Sequence, residues 1–73
     1  MNRVKFDSFR IRVIAKAGRE IHRINNLLHR LWGYLVLYIE TNIPCDLDSA
    51  LLALKQISIA TGITATISEF IKN

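Results

Sequence analysis

Gly33-Tyr34-Leu35-Val36-Leu37-Tyr38-Ile39-Glu40 is the stretch on which the fold turns. Read with a two-residue period, it puts Leu35, Leu37 and Ile39 on one face and Tyr34, Val36 and Tyr38 on the other, so both faces are apolar. A short segment of that kind belongs in the middle of a sheet. Gly33 stands in front of it, where a left-handed residue would close a preceding helix.

Upstream, Ile21, Ile24, Leu27, Leu28 and Leu31 recur at helical spacing, with Arg19, Arg23, Asn26 and Arg30 on the opposite ridge. The spacing predicts a basic amphipathic helix over 19–32. Before it, residues 5–15 alternate: Phe9, Ile11, Val13 and Ala15 fall on one face, and Ser8, Arg10 and Arg12 on the other. Alternation predicts a half-buried first strand, ended by Lys16-Ala17-Gly18.

Downstream, Thr41-Asn42-Ile43-Pro44-Cys45 has turn chemistry. Asp46 is the expected N-cap of a second helix over about 47–60, with Asp48 adding a favourable charge to its first turn and Gly62 ending it. Leu52 and Ile59 fall on its outer ridge, which predicts coverage by another chain. Ile63 to Ile71 alternates again and reads as a last strand rich in Ile and Thr. The expected fold is therefore α/β: a small two-layer sandwich of order βαβαβ, with two helices on one face of a three-stranded, largely parallel sheet.

The chain has 73 residues, 51% of them hydrophobic, which suits one domain over 1–73 with a modest core. Its formal charge is +4, and the charge is unevenly placed. Residues 1–31 carry Arg3, Lys5, Arg10, Arg12, Lys16, Arg19, Arg23 and Arg30 against only Asp7 and Glu20. The remainder is net acidic, so an anionic partner would meet the first half. One cysteine, Cys45, rules out an intrachain disulfide and suits a reducing compartment. Charges interrupt the first residues, unlike a signal peptide, and the apolar run Leu31–Ile39 is too short to span a bilayer. A soluble, cytoplasmic protein without a membrane role is the expectation.

Candidate chemistry is sparse. His22 and His29 are seven positions apart, about 10 Å along a helix, too far to share one metal ion. No metal site and no cofactor is expected. Cys45 has no base at catalytic spacing, and Asp46 and Asp48 disfavour a thiolate, so no enzyme activity is expected either. On the predicted sheet face away from the helices, Arg10, Arg12, Tyr34 and Tyr38 would lie together, where rings can stack on bases and guanidinium groups can meet phosphates. Such a surface is also common as a merely solvated sheet face. Arg19, Arg23 and Arg30 on the first helix are the second candidate surface.

The stretch Phe9-Arg10-Ile11-Arg12-Val13-Ile14-Ala15-Lys16-Ala17-Gly18, with the following Leu27-Leu28-His29-Arg30-Leu31-Trp32-Gly33-Tyr34, resembles the opening strand and helix of ACT-type regulatory domains. That resemblance implies a ligand-binding or regulatory module that pairs through its sheets or helices. It covers less than half of the chain, Ala17-Gly18 replaces the usual Pro-Gly, and one strand of the family's four is missing; no ligand-binding residue is carried over. Together these readings predict a non-catalytic regulatory or interaction module, a homodimer through Leu52 and Ile59, that binds an anionic protein partner. Nucleic acid is the alternative partner, met by the open sheet face or the basic first helix.

Overall fold

Helix replaces strand throughout the computed structural model, which describes residues 1–72: among them there is no strand. Helix α1 spans Arg3–Ala17, a 3-10 turn follows at Gly18–Glu20, α2 spans Ile21–Thr41, α3 spans Pro44–Thr61, and a short α4 spans Ile67–Ile71. The α/β sandwich expected from the sequence is thus overturned in favour of a small all-helical fold.

The decisive stretch prolongs the predicted helix. Leu35 is buried because it extends the stripe of Ile24, Leu28 and Leu31 at helical spacing, whereas Leu37 and Ile39 remain 46% and 41% exposed. Apolarity on both sides of 33–40 therefore does not mean burial on both sides. Gly33 is an ordinary interior helical residue with open space where a Cβ would stand.

Residues 5–15 carry both periods at once. Phe6, Phe9, Val13 and Ala17 are spaced for one face of a helix, and all are buried. Ile11, which the strand reading placed with Phe9 and Val13, points to solvent and is 65% exposed. Asn2 caps this helix, its Oδ1 accepting from the Lys5 N–H at 3.0 Å. Because residues 9–18 form a helix ending in a turn, the opening strand implied by the ACT likeness is absent.

The last predicted strand is also a correction. Residues 62–66 are irregular, and α4 begins with a capping box in which Thr66 and Glu69 exchange side-chain and backbone bonds. Ile67 and Phe70, three apart, then enter the core.

Two helices end with the same three-residue device. At Thr41-Asn42-Ile43 and Thr61-Gly62-Ile63, the middle residue is left-handed, with φ of 55° and 74°. Its N–H donates to the carbonyl four residues back, Tyr38 or Ser58, at 2.7 Å in both cases. The threonine hydroxyl donates to Leu37 O at 2.7 Å or Ile57 O at 2.8 Å, and accepts from the N–H of the following isoleucine. Orphan carbonyls at both helix ends are thereby satisfied. After the first device only Asn42 and Ile43 separate α2 from α3, so the two helices fold back antiparallel and pack along their length. Pro44 starts α3 at the position where its missing N–H costs nothing, two residues before the Asp46 cap expected from the sequence.

Helix α1 lies across this hairpin. Phe6 meets Trp32 of α2 with ring centroids 4.7 Å apart and Phe70 of α4 at 5.4 Å, edge-on, while Phe9 meets Phe70 at 5.4 Å. The Asn2 N–H also donates to Phe70 O at 2.7 Å, tying the two ends of the fold together. Among the described residues the buried ones form one cluster containing no polar or charged residue, within a body of 35 × 22 × 16 Å.

The two glycines Gly33 and Gly62 should respond oppositely to alanine. Gly33→Ala removes backbone freedom in an exposed helix interior and is expected to stabilise by about 0.5–1 kcal/mol. Gly62→Ala must hold a left-handed conformation and is expected to destabilise by about 1–2 kcal/mol. Thermal melts followed by circular dichroism would read these as shifts of opposite sign, several degrees each for a domain of this size.

Candidate functional site

Three exposed surfaces on α1 and α2 bear on the expected site residues, and helix geometry separates them. The first is the solvent side of α1. Val4, Ser8, Ile11 and Ala15 recur at spacings of four, three and four, on the face opposite Phe6, Phe9 and Val13. Val4 is 80% exposed and Ile11 65%. Lys5, Arg12 and Lys16 run in a row along one flank, all exposed. Among the described residues none of the three has a carboxylate within ion-pair distance, so their charge is available.

The second is a cleft of about 150 Å³ between α1 and α2. Arg3, Phe6 and Arg10 line it from α1, and Asn25, Leu28, His29 and Trp32 from α2. The Arg3 guanidinium lies 4.4 Å above the Trp32 ring and 5.5 Å from Phe6. Asp7 Oδ1 sits between the arginines, 3.1 Å from Arg3 Nε and 3.7 Å from Arg10 Nε. These pairs are half exposed, and each contributes about 1 kcal/mol or less. Asp7 consumes part of the positive charge, which makes the cleft a weaker anion trap than its two arginines suggest.

The third is a shallow depression of about 110 Å³ on the far side of the hairpin. Leu27, Arg30 and Tyr34 of α2 meet Ser49, Leu52, Ala53 and Gln56 of α3 there. Trp32 and Tyr34 are two residues apart and so point to opposite sides of α2, one toward α1 and one away.

This geometry disperses the cluster expected on a sheet face. Arg10 lines the α1–α2 cleft and Arg12 points away from it to solvent, while Tyr34 and Tyr38 are half-buried on α2. Without a sheet there is no surface on which the four meet. Arg30, Tyr34 and Leu52 do come together, at the third surface. Arg19 lies in the 3-10 turn, and Arg23 is tied to Glu20, Nη1 to Oε2 at 3.0 Å. Leu52 and Ile59 are 58% and 75% exposed.

Two features escaped the sequence reading. The Val4–Ile11 stripe was hidden because alternation assigned Ile11 to the core face; its seven-residue spacing was the available signal. The Arg3–Trp32 contact joins residues distant in sequence and left none. No helix among the described residues is long and apolar enough to cross a membrane, and none of them form a group of three or more His, Cys, Asp or Glu able to hold a metal ion.

Comparison with protein-family models, with curated proteins and with solved structures found no match to this chain. The functional reading therefore rests on the geometry alone.

Neighbouring residues of α1 provide a direct test of its two faces. Phe9→Ala should cost about 3–5 kcal/mol by emptying the aromatic core. Ile11→Ser should stay within about 0.5 kcal/mol of the parent, as a substitution into solvent. Urea denaturation of both variants measures the contrast; equal losses would mean that the α1 faces are wrongly assigned.

Proposed function

We propose that this chain is a small non-catalytic interaction module, regulatory in kind, which binds an anionic protein partner through the solvent face of α1. The observation that carries the reading is that α1 is apolar on two opposite sides. One side folds the protein, burying Phe6, Phe9 and Val13. The other contributes nothing to the core, yet keeps Val4 and Ile11 beside Lys5, Arg12 and Lys16. Large aliphatic side chains held in water beside a row of charge favour a docking surface over a merely solvated one.

The spacing at 4, 8, 11 and 15 is that of a helix–helix seam, and the basic flank selects the charge of what lies against it. An amphipathic helix with an apolar seam and an acidic flank satisfies both demands. Burying Val4 and Ile11 would supply most of the affinity, at about 25 cal/mol per Å² of apolar surface removed from water, before the entropy of association is subtracted. The lysines and arginine would set orientation and association rate. Arg19, in the turn that follows, extends the positive surface.

Nucleic acid would use the same cations but gains nothing from Val4 and Ile11. The aromatic stacking surface expected for it also depended on a sheet, and Tyr34 and Tyr38 are half-buried instead.

A synthetic three-heptad peptide with leucine at the seam and glutamate on the flanks is a suitable probe. Titration calorimetry should detect binding with Kd in the micromolar range. Ile11→Asp should weaken it at least about ten-fold, equivalent to about 1.4 kcal/mol, whereas Gln56→Ala on the far side of the hairpin should leave it unchanged. No binding of the peptide, together with tight and steeply salt-dependent binding of a single- or double-stranded oligonucleotide, would replace this reading with the nucleic-acid one.

A further inference from the structure

Helix α3 repeats the two-faced design of α1 with different charges. Ala50, Ala53, Leu54 and Ile57 face the core. On the opposite ridge Asp48, Leu52, Lys55 and Ile59 follow one another at spacings of four, three and four. Leu52 and Ile59 are 58% and 75% exposed, and Leu51 beside them is 47% exposed. Unlike α1, this ridge carries one acid and one base. Both are exposed, and neither has an oppositely charged partner among the described residues, whose ion pairs all lie between Arg3 and Arg23.

Asp48 and Lys55 are seven residues, about 10.5 Å, apart along the helix, too far to neutralise each other within one chain. A neutral ridge gives no electrostatic preference for an acidic or a basic partner. It is, however, complementary to itself when inverted. In a two-fold contact the same patch serves both copies, so residue i meets j while j meets i.

We propose that two copies of this chain pair antiparallel along α3, about a two-fold axis between Leu51 and Leu52, with Asp48 of each copy opposite Lys55 of the other. This register brings the leucines of both chains together at the axis. It also sets Ile59 level with Pro44 of the second copy, beside Ile43, which is itself 47% exposed. The electrostatics select the register. Parallel pairing would put Asp48 against Asp48 and Lys55 against Lys55. An antiparallel pairing shifted by one turn, matching Leu52 with Ile59, would crowd the two lysines at the axis. Like charges at such distances repel, so the register at Leu51–Leu52 is the one in which the ridge is both apolar and charge-matched.

A single helix pair is a small interface, at the low end of stable ones, so association in the micromolar range is expected. The charge pairs rim the leucines and contribute mainly specificity.

Charge exchange tests the register directly. Sedimentation equilibrium should show a concentration-dependent dimer for the parent chain. Asp48→Lys and Lys55→Asp should each weaken it at least ten-fold, because each homodimer then opposes like charges twice. An equimolar mixture of the two variants should recover the dimer, since both pairs are again opposite in sign. The double variant carrying both changes should also recover it. Circular dichroism melts would establish that the single variants remain folded. A parent that stays monomeric at millimolar concentration would overturn the proposal. So would a mixture no more dimeric than its components, or single variants as dimeric as the parent.

Discussion

The contact on which the fold depends is the aromatic cluster Phe6, Phe9, Trp32 and Phe70, which contains every phenylalanine and the one tryptophan of the chain. The α2–α3 hairpin is held by its own long interface; α1 packs on both of its helices, meeting α2 through Phe6 and Trp32, and α4 is joined to α1 through Phe70. Phe6 is central, because it touches both Trp32 and Phe70. Aromatic side chains bring a large apolar area per residue, which a chain this short needs to offset its conformational entropy. The Asn2–Phe70 backbone bond and the Thr66–Glu69 capping box hold α4 where Phe70 can fill the gap.

A core concentrated in this way has a consequence for the surface. Once α1 has committed Phe6, Phe9 and Val13 to the rings, Val4 and Ile11 necessarily point outward. Once α3 has committed Ala50, Ala53, Leu54 and Ile57 to the core, the same holds for Leu52 and Ile59. Among the described residues no further element covers these outer faces. The chain therefore presents two apolar ridges, one flanked by a run of bases and one nearly neutral. Their charge patterns differ, and the residues classed as buried among those described are all apolar.

Parts of this arrangement were legible in advance. A helix expected over about 47–60 is present, ended by Gly62 as read, but it starts at Pro44 within the expected turn, ahead of the Asp46 read as its cap; the outward ridge of Leu52 and Ile59 follows from its spacing. The concentration of positive charge in residues 1–31 is likewise a property of composition. Other signals were present but weighed against stronger-looking ones. Thr41-Asn42-Ile43 marks the true end of α2 with the same chemistry as Thr61-Gly62-Ile63, yet Gly33 offered the more familiar stop. Thr66-Ile67-Ser68-Glu69 has the spacing of a capping box, but the alternation of isoleucine and threonine around it favoured a strand. The positive surface could be anticipated, whereas the positions that share a face with it could not, because they depend on whether α1 is a helix.

What the sequence by itself determined is local: where charge accumulates, which threonine–isoleucine pairs can close a helix, and that Leu52 and Ile59 fall on the outer side of the second long apolar helix, whereas Leu51, spaced to face inward, is 47% exposed. Which of two apolar faces α1 buries, and whether residues 33–40 continue a helix or begin a strand, was decided only by tertiary structure. In α1 the odd positions 9, 11, 13 and 15 satisfy alternation while 6, 9, 13 and 17 satisfy a helical turn, so either period is locally acceptable. The choice falls to the helix because only that geometry brings Phe6 and Phe9 to the same side, against Trp32 and Phe70, contacts that span much of the chain and that no short window of sequence contains.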